Sequence, residues 1–155
     1  MTTDAMTLAG PFADRDRWDA TDQCSIGRAL DVVGTRSAMM LIREAYYGAR
    51  RFDDLARRAG VTEAIAAKRL RELVAADLFA RRPYREPGQR TRDEYVLTER
   101  GRDLFPALVS LMSWGDRYLA ERDGPPIRLT HSGCGEPLHA SVHCTAGHEV
   151  GLDEA

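Results

Sequence analysis

The 155-residue chain has three cysteines, one lysine and no uninterrupted apolar run longer than Ala38–Ile42. Such a run is far short of the roughly 18 apolar residues that mark a membrane-crossing helix. The opening stretch carries Asp4, Asp14, Asp16 and Asp19, with neither a basic start nor an apolar segment. The expectation is no signal peptide, no membrane partner and a cytoplasmic location. Cys24 lies far in sequence from Cys134 and Cys144, and a sparse, odd set does not suit a disulfide-stapled secreted scaffold, in keeping with a reducing compartment. Lys68 is the sole lysine among 22 basic residues, a bias that reads as a GC-rich genome rather than as function. Catalytic signatures are missing from the folded region too. It has no Gly-rich phosphate loop, no nucleophile elbow and no carboxylate pair with a histidine; the four histidines all fall between 131 and 148. An enzyme is not expected, and any catalysis would have to come from the tail.

What is present is a globular composition, 43% hydrophobic and 30% charged, enough for one compact domain with short extensions. The net charge of -2 conceals a partition. Residues 1–23 hold two basic against five acidic residues, 24–100 sixteen against eleven, and 101–155 four against eight. A basic surplus confined to the middle segment is the usual footprint of a polyanion partner, with a solvated, charge-balanced helical surface as the bland alternative.

Periodicity then divides the chain. Residues 1–22 lack a clean repeat and read as a flexible arm, on which Trp18 is the side chain suited to docking on the body or a partner. From Cys24, Ile26, Ala29, Leu30 and Val33 recur at helical spacing until Gly34 stops them. Ser37 caps a second helix to about Tyr47, apolar on most faces and so central. A short third helix puts Phe52, Leu55, Ala56 and Ala59 on one face and closes at Gly60, where a left-handed cap is easiest. Thr62 caps a fourth helix, with a buried stripe of Ile65, Ala66, Leu70, Leu73 and Val74 and an outer face of Ala64, Ala67, Lys68 and Arg71. A strand to about Tyr84, a Pro-Gly turn within Glu86–Gln89 and a second strand to Leu97 make a hairpin. Thr98 caps a last long helix. Its Leu104, Phe105, Leu108, Leu111, Met112, Gly115, Tyr118 and Leu119 form one apolar seam, longer than a small domain needs for its own core and suited to a second copy.

That order is the order of a winged helix-turn-helix: mainly α, with a small β-hairpin wing and a long C-terminal dimerisation helix. The boundaries read as 1–22 for the arm, 23–121 for the DNA-binding and dimerisation domain, and 122–155 for a Cys/His tail forming a small hairpin. The helix after the tight turn enters the major groove, so Thr62, Ala64, Ala67, Lys68 and Arg71 are the candidate base-facing residues. Within the hairpin, residues 81–92 carry Arg81, Arg82, Arg85, Arg90 and Arg92 against one acid, Glu86, five arginines that make a candidate phosphate clamp, with Arg85, Arg90 and Arg92 the foremost DNA-binding candidates. An edge hairpin kept soluble by charge is the alternative. The expected partner is double-stranded DNA carrying a pseudo-palindromic operator. A winged helix that binds protein, and a thiol- or metal-dependent activity in the tail, stay open as other function classes.

Several stretches in the right order carry a resemblance. Cys24–Gly34, Leu41–Glu44, Arg51–Leu55, Arg69–Leu73 and Tyr95–Gly101 are together similar to the HxlR-type bacterial transcriptional regulators, over about Cys24 to Tyr118. The resemblance implies a MarR-like homodimer, commonly a repressor, whose first and last helices form the interface, here Ile26, Leu30, Leu108, Leu111 and Met112. It places Cys24 where some members sense oxidants and electrophiles, implying an electrophile or small-molecule effector, with a small buried apolar residue as the alternative. One departure is Ser37, where members commonly carry tryptophan. Either a ligand cavity opens near Met39, Met40 and Trp114 or the neighbours repack.

In the tail, His131, Cys134, Cys144 and His148 have spacings at which each pair reaches one ion, and Cys2His2 is a normal structural zinc set. No cofactor is required by this reading; structural zinc is the one the spacing admits. Two alternatives remain: the alternation of Leu138, Ala140, Val142 and Cys144 turns the cysteines inward, or Cys134 and Cys144 form a disulfide.

Overall fold

The computed structural model describes residues 6–11, 13, 14, 16, 24–120 and 124–155, Asp153 by its backbone alone. Two compact units divide it, one within Ala20–Phe105 and the other within Met1–Asp19 and Pro106–Ala155. The expected arm, including Trp18, falls mostly outside the described residues.

The first unit contains α1 (Ser25–Val33), α2 (Arg36–Tyr46), α3 (Phe52–Ala59), α4 (Glu63–Ala75), β1 (Phe79–Tyr84), β2 (Arg92–Leu97) and the short α5 (Glu99–Arg102). Its core is built around the central α2, whose Leu41 and Ile42 are fully buried with Leu55 of α3, Leu70 and Leu73 of α4, and Phe79 at the start of β1. Thr35, not Ser37, caps α2, accepting from the Ala38 N–H at 3.2 Å. The cap bond runs to the third residue on, and from Ser37 that residue is already inside the helix. Gly60 ends α3 at φ 66°, a left-handed turn that lets Thr62 start α4 two residues later.

β1 and β2 pair antiparallel from Phe79 opposite Leu97 to Tyr84 opposite Arg92, and Gly88 turns the loop at φ 75°. The chain before α3 adds to this hairpin: Arg51 bridges Glu94, and the Tyr95 N–H donates to the Arg50 carbonyl at 2.8 Å. The hairpin is thereby tied to the helices, which fixes its position relative to α4.

The last helix is interrupted, contrary to its reading as one element from Thr98. Thr98 caps only α5; α6 spans Phe105–Tyr118. Pro106 has no N–H to give to the Arg102 carbonyl four residues earlier, so the ladder breaks there. The Tyr46 hydroxyl takes up the slack, donating to the Gly101 carbonyl at 2.5 Å and lying 3.1 Å from that of Arg102. Burial and the nearby Asp103 charge push the Tyr46 phenol up to about 12. Gly101 has to be glycine, because a Cβ there would lie 2.2 Å from the Leu78 carbonyl oxygen.

The second unit holds all of α6 after Phe105 and the tail. Val109, Met112 and Ser113 share a recess of about 260 Å³ with Pro125, Ile127, Leu129 and Leu138. The tail makes two tight turns, one bridged between Thr130 and Pro137 and one between His143 and Glu149, where a single hairpin was expected. No described helix is long and apolar enough to cross a membrane.

Candidate nucleic-acid interface

The outer side of α4 follows from its inner side. Ala66, Leu70 and Leu73 are buried, which at 3.6 residues per turn leaves Ala64, Lys68 and Arg71 exposed and Ala67 half-buried at the flank. The Thr62 hydroxyl accepts from the Ile65 N–H at 3.3 Å and so is committed to the cap. Ile65 is 44% exposed, against its expected place in the buried stripe. Its position one residue before Ala66 rotates it about 100° off the inward direction. Glu72 balances two cations, Arg69 at 2.6 Å and Lys68 at 4.0 Å, whereas Arg71 has no ion pair among the described residues. The Arg69 Nε also donates to the Ser37 hydroxyl at 3.2 Å, so the guanidinium lies against that small residue. That contact favours repacking over an open cavity at Ser37.

The hairpin arginines are of two kinds. Arg82 pairs with Glu94 at 2.6 Å across the strands, and Arg92 lies 4.0 Å from Asp53 of α3. Arg85 donates to the Gln89 carbonyl at 3.1 Å, Arg81 lies over the Tyr95 ring, and neither they nor Arg90 has an acidic partner among the described residues. The loop acid, Glu86, is taken by Arg51, whose guanidinium also sits 5.0 Å from the Tyr84 ring centre. This bond and the Glu86 charge hold the Arg51 cation firmly protonated. Arg51 was missed in the sequence because it precedes α3 by one residue and only the bridge to β2 brings it to the loop. The result is a hairpin whose Glu86 and Glu94 are paired and whose Arg85 and Arg90 have no acidic partner among the described residues.

The candidate dimer residues separate. Ile26 and Leu30 on α1 are 72% and 56% exposed, and Leu111 on α6 is 59% exposed beside Trp114 and Tyr118, whose rings are 5.6 Å apart. Leu108 is buried and Met112 half-buried on another side of α6, so the single seam is really two faces. Cys24 caps α1, its Sγ accepting from the Gly27 N–H at 3.4 Å, and is partly exposed. Ser25, Arg28, Val32, Leu78, Arg100 and Leu104 line an open recess of about 340 Å³ beside it in sequence.

The tail residues are not gathered. His131 Nδ1 lies 3.2 Å from Cys134 Sγ within one turn, while Cys144 and His148 close the other through a backbone bond of 3.0 Å. Among the described residues no group of three or more His, Cys, Asp or Glu is placed to hold a metal ion. The expected set of His131, Cys134, Cys144 and His148 therefore does not assemble, because each pair sits on a separately closed turn. Both cysteines are free thiols and exposed, as is Val142, so neither the inward-facing nor the disulfide alternative describes them. Backbone hydrogen bonding at His148, then at Ala146, lowers the Cys144 thiol below its ordinary range.

A central helix, a tight-turned helix pair packed on it and an arginine-bearing hairpin after the second of the pair together define a winged helix-turn-helix protein. The chain belongs to the HxlR-like helix-turn-helix family, whose model matches residues 32–123. It is 49% identical over 127 residues to an uncharacterized HTH-type transcriptional regulator of Mycobacterium tuberculosis, Rv3095, covering 81% of this chain and 79% of that one. Among solved structures, the candidate transcription factor PA1607 superposes with a TM-score of 0.77 at 31% identity, covering 87% of this chain and 94% of that one. The redox regulator HypR in its oxidized form gives 0.57 at 29% identity, covering 63% of this chain and all 100% of that one.

Proposed function

We propose that the chain is a DNA-binding transcriptional regulator, a repressor, that grips a pseudo-palindromic operator as a homodimer, with α4 in the major groove and the hairpin on the phosphates. The observation that carries this reading is the pairing, in one unit, of an α4 face of Ala64, Lys68 and Arg71 with a wing whose Arg85 and Arg90 have no acidic partner among the described residues. Small residues let the backbone approach the bases while the cations reach them or the phosphates. The exposed apolar side chains of α1 and α6 supply what a second copy would cover, and a two-fold protein presents two recognition helices about 34 Å apart. On this reading residues 23–121 are the working domain, and the tail from 122 shields one side of α6.

Release from DNA is assigned to Cys24 reacting with an electrophile, the redox regulator HypR being a structural relative. The test is a mobility shift with DNA from upstream of the chain's own gene, before and after treatment with diamide or a quinone. A shifted dimer that lets go on treatment, and holds on when Cys24→Ser replaces the thiol, supports the whole reading. Treated Cys24→Ser protein that still lets go puts the sensor elsewhere. No shift of any duplex, with binding to a protein instead, overturns the DNA assignment.

A further inference from the structure

Ile65 is the one large apolar side chain that α4 leaves exposed. It is 44% exposed, in the first turn of the helix, just after the exposed Ala64. Its neighbours at helical spacing, Lys68 and Arg69, are both drawn to Glu72, and Arg69 is held as well by the Ser37 hydroxyl. Glu72 offsets one of those two charges, so the flank that carries Ile65 keeps one net positive charge. Ile65 itself offers a phosphate nothing and an apolar group a good deal, since a branched side chain left in water gains by covering its methyls.

In the major groove the only apolar group on any base edge is the thymine 5-methyl. A β-branched residue with few rotamers holds its methyls in a fixed direction and loses little freedom on making such a contact. We propose that Ile65 is a specificity-determining residue of α4, which selects a thymine in each operator half-site through contact with its methyl group. The inference rests on the DNA-binding reading above and adds to it a residue and the base it reads.

The experiment uses the full chain. Wild-type protein is first put through selection from a random duplex library, which yields its preferred half-site. Each selected thymine is then replaced in turn by uracil, which pairs identically and lacks only the methyl, and affinity is measured for wild type, Ile65→Ala and Ile65→Val. At one thymine per half-site the wild type should lose about fourfold on the change to uracil, the worth of one buried methyl. Ile65→Ala should bind both duplexes alike, and Ile65→Val should keep most of the discrimination. Wild-type protein indifferent to uracil at every position, or Ile65→Ala protein that discriminates as well as wild type, overturns the assignment while leaving DNA binding intact. Failure to select any sequence overturns the DNA-binding reading itself, and the inference with it. Because Ile65 is exposed, both variants should keep the helical circular dichroism of the wild type.

Discussion

Two helices of similar length, α4 with 13 residues and α6 with 14, leave chemically different surfaces uncovered. Outside its buried stripe, α4 shows short or charged side chains and one isoleucine; α6 shows Leu111, Trp114 and Tyr118, with Leu119 just past its end. The first surface is well solvated by itself and suits a charged, hydrated partner. The second leaves several aromatic and aliphatic groups in water, a state normally relieved by a protein partner. On the proposed function the chain separates reading from pairing: cations and small residues where nucleic acid would lie, apolar bulk where a second copy would lie.

The comparison breaks most visibly at α6. Leu111→Asp together with Trp114→Ala should weaken self-association by at least a hundredfold, since buried aromatic anchors each contribute about 2 kcal/mol or more. Sedimentation at micromolar concentration should then show a monomer with its helix content kept; an unchanged dimer would move the interface elsewhere. On α4 the effect is smaller and selective. Lys68→Ala should change which base is preferred at one position per half-site, with about tenfold less discrimination there, and should do little to binding of random DNA. Equal weakening on all sequences would make Lys68 a phosphate contact.

The smallest effect separates both surfaces from the scaffold that holds them. Tyr46→Phe removes the hydroxyl that satisfies the carbonyls at the α5–α6 break and should cost about 1 kcal/mol in urea unfolding. Its pH signature has a definite sign. The folded phenol titrates at about 12 against an ordinary 10.0, so its contribution is whole below pH 10 and is lost as pH rises through about 12. The phenylalanine variant should lack that alkaline decline, and wild-type stability that does not fall over this window would contradict the role given to Tyr46.

Much of the winged unit was legible because local signals agreed with one another. Thr62 as a cap, Gly60 as a stop and the Pro-Gly turn each act within four residues, and the structure has all three. Failures came where a distant partner decided the outcome. The α5–α6 break depends on Pro106 together with Tyr46, which lies 55 residues before the Gly101 carbonyl it meets. Arg51 joins the wing through its bridge to Glu94 and its pairing with Glu86, 35 residues later, and Arg69 turns to Ser37, 32 residues earlier. The candidate site was legible in its cations and small residues, but not in Ile65, whose exposure is set by the exact rotation of α4 on the core. The tail was the least legible. Cys and His spacings are compatible with a zinc set, yet spacing alone does not say whether two turns fold toward one point, and here they close separately.

The central claim is that α4 and the wing meet DNA as a charged surface, and the salt dependence of binding tests it most directly. Neutralising Arg85, Arg90 and Arg92 together to alanine, and measuring affinity for the selected duplex from about 50 to 200 mM salt, compares the slopes of log affinity against log salt for variant and wild type. The account predicts a slope shallower by about five to six, near one for each of the six arginines that a dimer takes off phosphates, with base preference unchanged. A triple variant with the wild-type slope and affinity would show that the hairpin does not touch the phosphates, and would contradict the account.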